Sequence, residues 1–171
     1  MLEIFNDLYV FFEDNYREIS VREYGKLRNI SAPTASSKLK LYEEKGLLIK
    51  EKFRNYLFFR ANTQGLFTDL QKVYYKQQLE DVVKDIKSQT PNPLIILFGS
   101  AIKGEIRKDS DLDIVVFCED EIEIKQKFYR ELQIFRFPSQ NSVKNKELLN
   151  NILNGYVLSG EWTGKNVLTK K

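Results

Sequence analysis

Two short apolar runs, Pro93–Phe98 and Leu112–Phe117, enclose a Gly-Ser pair and an Asp-x-Asp pair, and this arrangement restricts the chain more than any other feature. Each run is too short for a helix and rich in branched residues, so the stretch reads as strand, turn, short helix, strand. Side chains two apart leave the same face of a strand, which sets Asp111 beside Asp113 while Leu112 and Ile114 point into a core. Two neighbouring carboxylates call for a cation. Mg²⁺ suits them, because it takes one or two protein carboxylates and completes its octahedron with water and substrate phosphates. Gly99-Ser100 supplies the other half, since a small-residue turn into a helix start exposes N–H groups to an anion and the Ser hydroxyl adds a donor.

Gly99-Ser100, Gly104 and Ser110-Asp111-Leu112-Asp113 closing on Ile-Val-Val resemble the signature of the polymerase-β-type nucleotidyltransferase superfamily. The resemblance implies a small mixed β-sheet flanked by helices, and an enzyme that moves a nucleoside monophosphate from a nucleoside triphosphate to a hydroxyl acceptor. Asp111 and Asp113 would hold one or two Mg²⁺ ions. Ser100, Ser110 and the N–H groups after Gly99 would meet the phosphates, and Lys103 and Arg107, one helical turn apart, would pair with them. Competent members generally carry a third carboxylate on the following strand. Here that strand, Leu132–Phe137, has no acid and carries Gln133, so Glu131 at its edge is the catalytic candidate. A Gln side chain accepts a hydrogen bond but is no base at neutral pH.

Composition narrows the chemistry further. The 171 residues are 42% hydrophobic, enough for a packed core, and the net charge of +3 identifies no partner by itself. With no histidine, imidazole zinc sites and Ser-His catalysis are excluded. A single cysteine, Cys118, allows no intrachain disulfide and points to a reducing, cytoplasmic setting. No apolar run approaches the ~18 residues of a membrane helix, and Met1-Leu2-Glu3 lacks the basic start of a secretory signal.

Charge is uneven along the chain. Between Ser20 and Arg60 ten basic residues face four acidic ones. An amphipathic helix is expected over Leu2–Asp14, then Ser20 caps Val21–Arg28, with Glu23 completing a capping box. Ser31 caps a further helix with Pro33 in its first turn and Gly46 at its end, and Leu47–Phe53 and Tyr56–Arg60 read as a hairpin. Helix, helix, turn, helix and hairpin resemble a winged helix-turn-helix, which implies binding to double-stranded DNA. Thr34, Ser37 and Lys38 would lie on the outward face of the third helix, opposite Leu39 and Tyr42, with Lys52 and Arg54 on the wing.

Residues 63–89 read as one or two connecting helices, ended by Thr90-Pro91-Asn92-Pro93. Lys144–Leu153 reads as a short helix, Tyr156–Leu158 as a last strand, and Gly160–Lys171 as a loose tail with Lys170-Lys171 disordered. The expected organisation is α/β (α+β): a winged helix-turn-helix over residues 1–62, then a nucleotidyltransferase domain over 63–171. Two functions fit it. One is a Mg-dependent nucleotidyltransferase coupled to DNA binding, as in autoregulated toxin-antitoxin modules, with a protein as one acceptor or partner. The other is a DNA-binding regulator whose second half is a catalytically weak nucleotide sensor or dimerisation platform, which a homodimer would suit.

Overall fold

The computed structural model describes residues 2–162, and the expected loose tail lies outside them from Thr163 onward. The chain divides into two compact units, Met1–Tyr74 with Lys103–Lys108, and Tyr75–Ile102 with Asp109–Lys171. Among the described residues no helix is long and apolar enough to cross a membrane.

In the N-terminal unit the order is α1 (Glu3–Glu13), β1 (Ile19–Ser20), α2 (Val21–Arg28), α3 (Ala32–Glu44), β2 (Leu48–Phe53) and β3 (Tyr56–Ala61). Local chemistry sets these boundaries. The Ser20 and Ser31 hydroxyls accept from the N–H groups of Glu23 and Thr34, and α3 stops before Gly46 at φ +71°. The strands form an antiparallel sheet in the order β1-β3-β2, and the two-residue β1, which pairs with Phe58 and Phe59, is too short to show in sequence periodicity. The core holds Phe5, Leu8, Phe11, Phe12, Tyr24, Leu39 and Phe59. At about 1.5–3 kcal/mol for each fully buried large apolar side chain, these seven dominate the unit's stabilisation.

Helix α4 (Leu66–Gln78) begins in the same unit. Its Phe67 and Tyr74 rings each lie 5.0 Å from Phe12. Packing therefore carries the unit past Asn62, where composition placed the boundary, to Tyr74 inside the helix. The connection is two helices, because Leu79 at φ −88°, ψ 5° separates α4 from α5 (Glu80–Gln89).

A charged cluster sits in this unit. Asp7 is buried, and its carboxylate accepts from Arg28 (3.2 Å), Lys38 and the Tyr42 hydroxyl (2.6 Å), while the Tyr24 hydroxyl donates to the Asp7 carbonyl. Burial by itself would raise the Asp7 carboxyl, but the hydrogen bonds from Lys38 and Tyr42 outweigh it and hold the group below its ordinary range. The expectation that Lys38 points outward with Thr34 and Ser37 is thereby corrected. Its ammonium turns back across α3 to Asp7 and to Glu3 at 2.9 Å.

The second unit contains α5, β4 (Leu94–Phe98), α6 (Ser100–Lys103), β5 (Leu112–Phe117), β6 (Leu132–Phe137), α7 (Lys146–Leu153) and β7 (Tyr156–Ser159), with Lys103 itself counted in the first unit. The sheet order is β6-β5-β4-β7, with β5 and β6 parallel and the other pairs antiparallel, so the sheet is mixed as expected. All five residues of β4 and five of the six in β5 are buried, and strands covered on both faces read as continuous apolar runs. Leu94, Ile96, Phe98, Val115 and Phe117 share one core cluster with Val143 and Ile152. Residues 118–131 form no helix or strand, and the segment is tied to α5 where Gln89 exchanges hydrogen bonds with the Glu123 backbone and Asp85 accepts from the Lys125 N–H. Burial raises the Cys118 thiol, which favours an inert packing role.

Candidate nucleotide and metal site

The site grows from the junction of β4 and β5. Antiparallel pairing sets Phe98 opposite Asp113, so the chain leaves β4 at Gly99 beside the Asp113 side chain. Gly99 has φ +76°, and a Cβ there would fall 2.0 Å from Asp113 Oδ2 and 2.9 Å from its Cγ. Only a residue without a side chain lets the carboxylate rest against the backbone at this turn. Asp111 lies two residues earlier, immediately before β5, and is exposed.

Parallel pairing completes the row. Gln133 is the register partner of Asp113, and it is exposed. Glu131 precedes β6, with its backbone carbonyl accepting from the Leu112 N–H at 3.0 Å, and its side chain is also exposed. Among the described residues no three His, Cys, Asp or Glu side chains gather as a metal-binding group. The register sets the Gln133 position, not an acid, beside Asp113. Two carboxylates suit a Mg²⁺ ion that keeps several waters or phosphate oxygens, and Asp113, beside the Gly99 turn, is half-buried.

Ser100 is half-buried and opens the single-turn α6, so Gly-Ser is placed at a strand-to-helix turn as its residues predict. The Ser110 carbonyl accepts from the Arg130 guanidinium at 2.6 Å. Arg130 is a half-buried residue that sequence reasoning does not single out; its only signal there is a basic residue next to the strand that pairs with β5. The expectation that Lys103 and Arg107 stand one helical turn apart is corrected, because α6 ends at Lys103 and Gly104 at φ +72° turns the chain; both fall in the segment that belongs to the N-terminal unit, where the Arg107 guanidinium lies 4.0 Å over the Tyr16 ring.

The residues expected to meet DNA are on the N-terminal unit. Thr34 and Ser37 are exposed near the start of α3, with Thr34 Oγ1 2.8 Å from Ser31 Oγ and the Ser37 hydroxyl donating to the Pro33 carbonyl. Lys52 is exposed on β2, and Arg54 stands at the hairpin tip with its guanidinium 5.4 Å from the Phe53 ring. Lys50 and Arg60 are engaged by Glu43 and Glu51. An open cleft of ≈ 550 Å³ at the α2–α3 turn is lined by Arg22, Lys26, Asn29 and Ser31 among others.

Comparison with known proteins bears on the C-terminal part. The family model described as Polymerase beta, Nucleotidyltransferase matches residues 80–158, a stretch from α5 to β7 that holds Gly99, Ser100, Asp111, Asp113 and Gln133. No curated protein matches the chain. The family match supports a nucleotidyltransferase domain of the polymerase-β superfamily over residues 80–158.

Proposed function

We propose that the chain is a Mg²⁺-dependent nucleotidyltransferase joined to a DNA-binding winged helix-turn-helix, working in the cytoplasm. The observation that carries this reading is the Asp113 carboxylate seated against Gly99, with Asp111 two residues earlier, immediately before β5. Asp111 and Asp113 would hold the ion, which neutralises phosphate charge when bound. Ser100, Ser110 and the N–H groups after Gly99 would orient the triphosphate. The acceptor hydroxyl oxygen bonds to the α-phosphorus, the bond to the bridging oxygen breaks, and pyrophosphate leaves with the electron pair. Lys103 and Arg107 are kept as further phosphate contacts in this reading.

Proton removal decides how fast such a site can run. Gln133 stands in register with Asp113, where it can accept a hydrogen bond but cannot take the hydroxyl proton. That placement favours a second reading, in which the domain binds Mg-nucleotide and transfers slowly, acting as a sensor for the DNA-binding half. Glu131 is the residue that would restore a base in the first reading. Isothermal titration with Mg-ATP should show binding by the parent and none by the Asp111→Asn/Asp113→Asn variant, whose melting temperature is no lower. Equal binding by the two would refute the site. With radiolabelled triphosphate and cell extract, Gln133→Asp should label acceptors faster than the parent, and labelling that survives Glu131→Gln removes Glu131 from the chemistry.

The winged-helix reading rests on the order α1, β1, α2, α3, β2, β3 and on exposed Lys52 and Arg54 at the hairpin. Duplex DNA would lie along α3 and the hairpin, with the basic cleft at the α2–α3 turn facing phosphates. Binding by the full chain should weaken steeply with salt, and Lys52→Glu/Arg54→Glu should lower the slope of log K against log salt by about 2. A retardation assay across a salt series reads this directly, and an unchanged slope would assign the unit to protein contacts. Lys38 is held by Asp7 and Glu3, so its replacement reports on stability before it reports on DNA.

A further inference from the structure

Among the described residues only five polar or charged side chains are buried, and two of them, Asn15 and Gln71, bond to each other at 3.0 Å. Asn15 also makes two main-chain bonds to one distant residue. Its N–H donates to the Ile106 carbonyl at 2.9 Å, and its Oδ1 accepts from the Ile106 N–H at 3.0 Å. The remaining Nδ2 hydrogen goes to the Phe11 carbonyl at 2.9 Å, so the side chain is fully used.

Ile106 lies midway between Ser100 and Ser110-Asp111, in the stretch Lys103–Lys108 that belongs to the N-terminal unit, and it is fully buried. Its neighbours are held as well. Gly104 has φ +72°, and a Cβ there would come within 2.7 Å of Thr63 Cβ, while Arg107 stacks on Tyr16. A connection of this kind normally runs over the surface with its backbone groups on water. Here both backbone groups of its central residue are given to one buried residue, the carbonyl to its main-chain N–H and the N–H to its side-chain oxygen.

We infer that Asn15 is a positioning residue for the proposed nucleotide site: by taking both main-chain hydrogen bonds of Ile106 it fixes the path of the chain between the Gly-Ser and Asp-x-Asp halves of the motif. The inference rests on the nucleotide reading above. Asn15 touches no phosphate in this scheme. It acts by removing the freedom of the segment whose ends carry Ser100 and Asp111, and small misplacements of binding groups are costly.

Two measurements on the full-length chain test it. Hydrogen exchange should show a slow Ile106 amide in the parent and a fast one in Asn15→Ala, and titration with Mg-ATP should show about tenfold weaker binding by that variant. Phe67→Leu, which loosens the core of the same unit and makes none of the hydrogen bonds to Ile106, should leave both unchanged. Fast exchange in Asn15→Ala with parental Mg-ATP affinity overturns the inference, as does an equal loss of affinity in Phe67→Leu. If Asn15→Ala does not fold, Asn15→Asp keeps the acceptor for Ile106 and loses the donors to Phe11 and Gln71. In that variant exchange and affinity must move together, and a change in only one is contrary to the inference. A parent that binds no Mg-ATP refutes the nucleotide reading itself, and the inference with it, before any variant is made.

Discussion

Gly99→Ala is expected to abolish Mg-nucleotide binding as fully as removal of the Asp113 carboxylate. The added Cβ would fall 2.0 Å from Asp113 Oδ2, so the carboxylate has to leave its place against the turn. The backbone cost is separate and smaller. An alanine held at φ +76° is disfavoured by about 1–2 kcal/mol, so the variant should still fold. Titration with Mg-ATP beside thermal melting separates the two effects. Retained nucleotide affinity in a folded Gly99→Ala protein would mean that Asp113 is not placed by this turn and that the proposed site is wrong.

Asp7→Ala is expected to produce the largest loss of stability, about 3–5 kcal/mol, because it leaves Arg28, Lys38 and the Tyr42 hydroxyl around an empty place without their common partner. The Asp7 side chain is only 2% exposed, so little of this is screened by solvent. Denaturant melts of the parent and variant measure it, and a loss below about 1 kcal/mol would show that the cluster contributes no more than a surface pair. The same group gives the parent an acid limit. Its carboxyl is held below the ordinary value of 3.8, so the folded state binds this proton less readily than the unfolded chain does. The contribution is therefore complete above about pH 3.8 and is lost as the pH falls from there through the folded value. Asp7→Ala should flatten this part of the stability profile.

Lys38 shows where sequence reading reaches its limit. Helical spacing separates it from Leu39 and Tyr42, and a lysine opposite an apolar stripe reads as solvated. What reverses its direction is Asp7, thirty-one residues away. Long-range ion pairs leave no mark in local periodicity. Caps do, because a Ser hydroxyl acts within three residues, and Ser20 and Ser31 both start helices where their neighbours predicted. The strand pair around Gly-Ser and Asp-x-Asp was legible for the same reason, since burial on both faces produces an uninterrupted apolar run. The parallel register that sets Gln133 against Asp113 was not, because it depends on how fourteen residues without helix or strand, 118–131, carry the chain back to the sheet. Nor was the reach of the first unit past Asn62, which rests on aromatic contacts between Phe12 and residues 67 and 74.

That first unit is not a continuous stretch of chain, and this has a consequence for synthesis. A protein emerging from the ribosome folds its N-terminal part first when that part is complete. Here the two bonds between Asn15 and Ile106 can form only once Ile106 is translated, after β4 and the Gly-Ser turn of the second unit. Until then the Asn15 N–H must be served by water and Oδ1 keeps only its bond from Gln71 at 3.4 Å, so the unit stays open at that corner. The order of translation therefore ties completion of the first unit to the appearance of the second, and a nascent chain truncated before residue 106 should be more readily cut by protease near Asn15 than one released after residue 108.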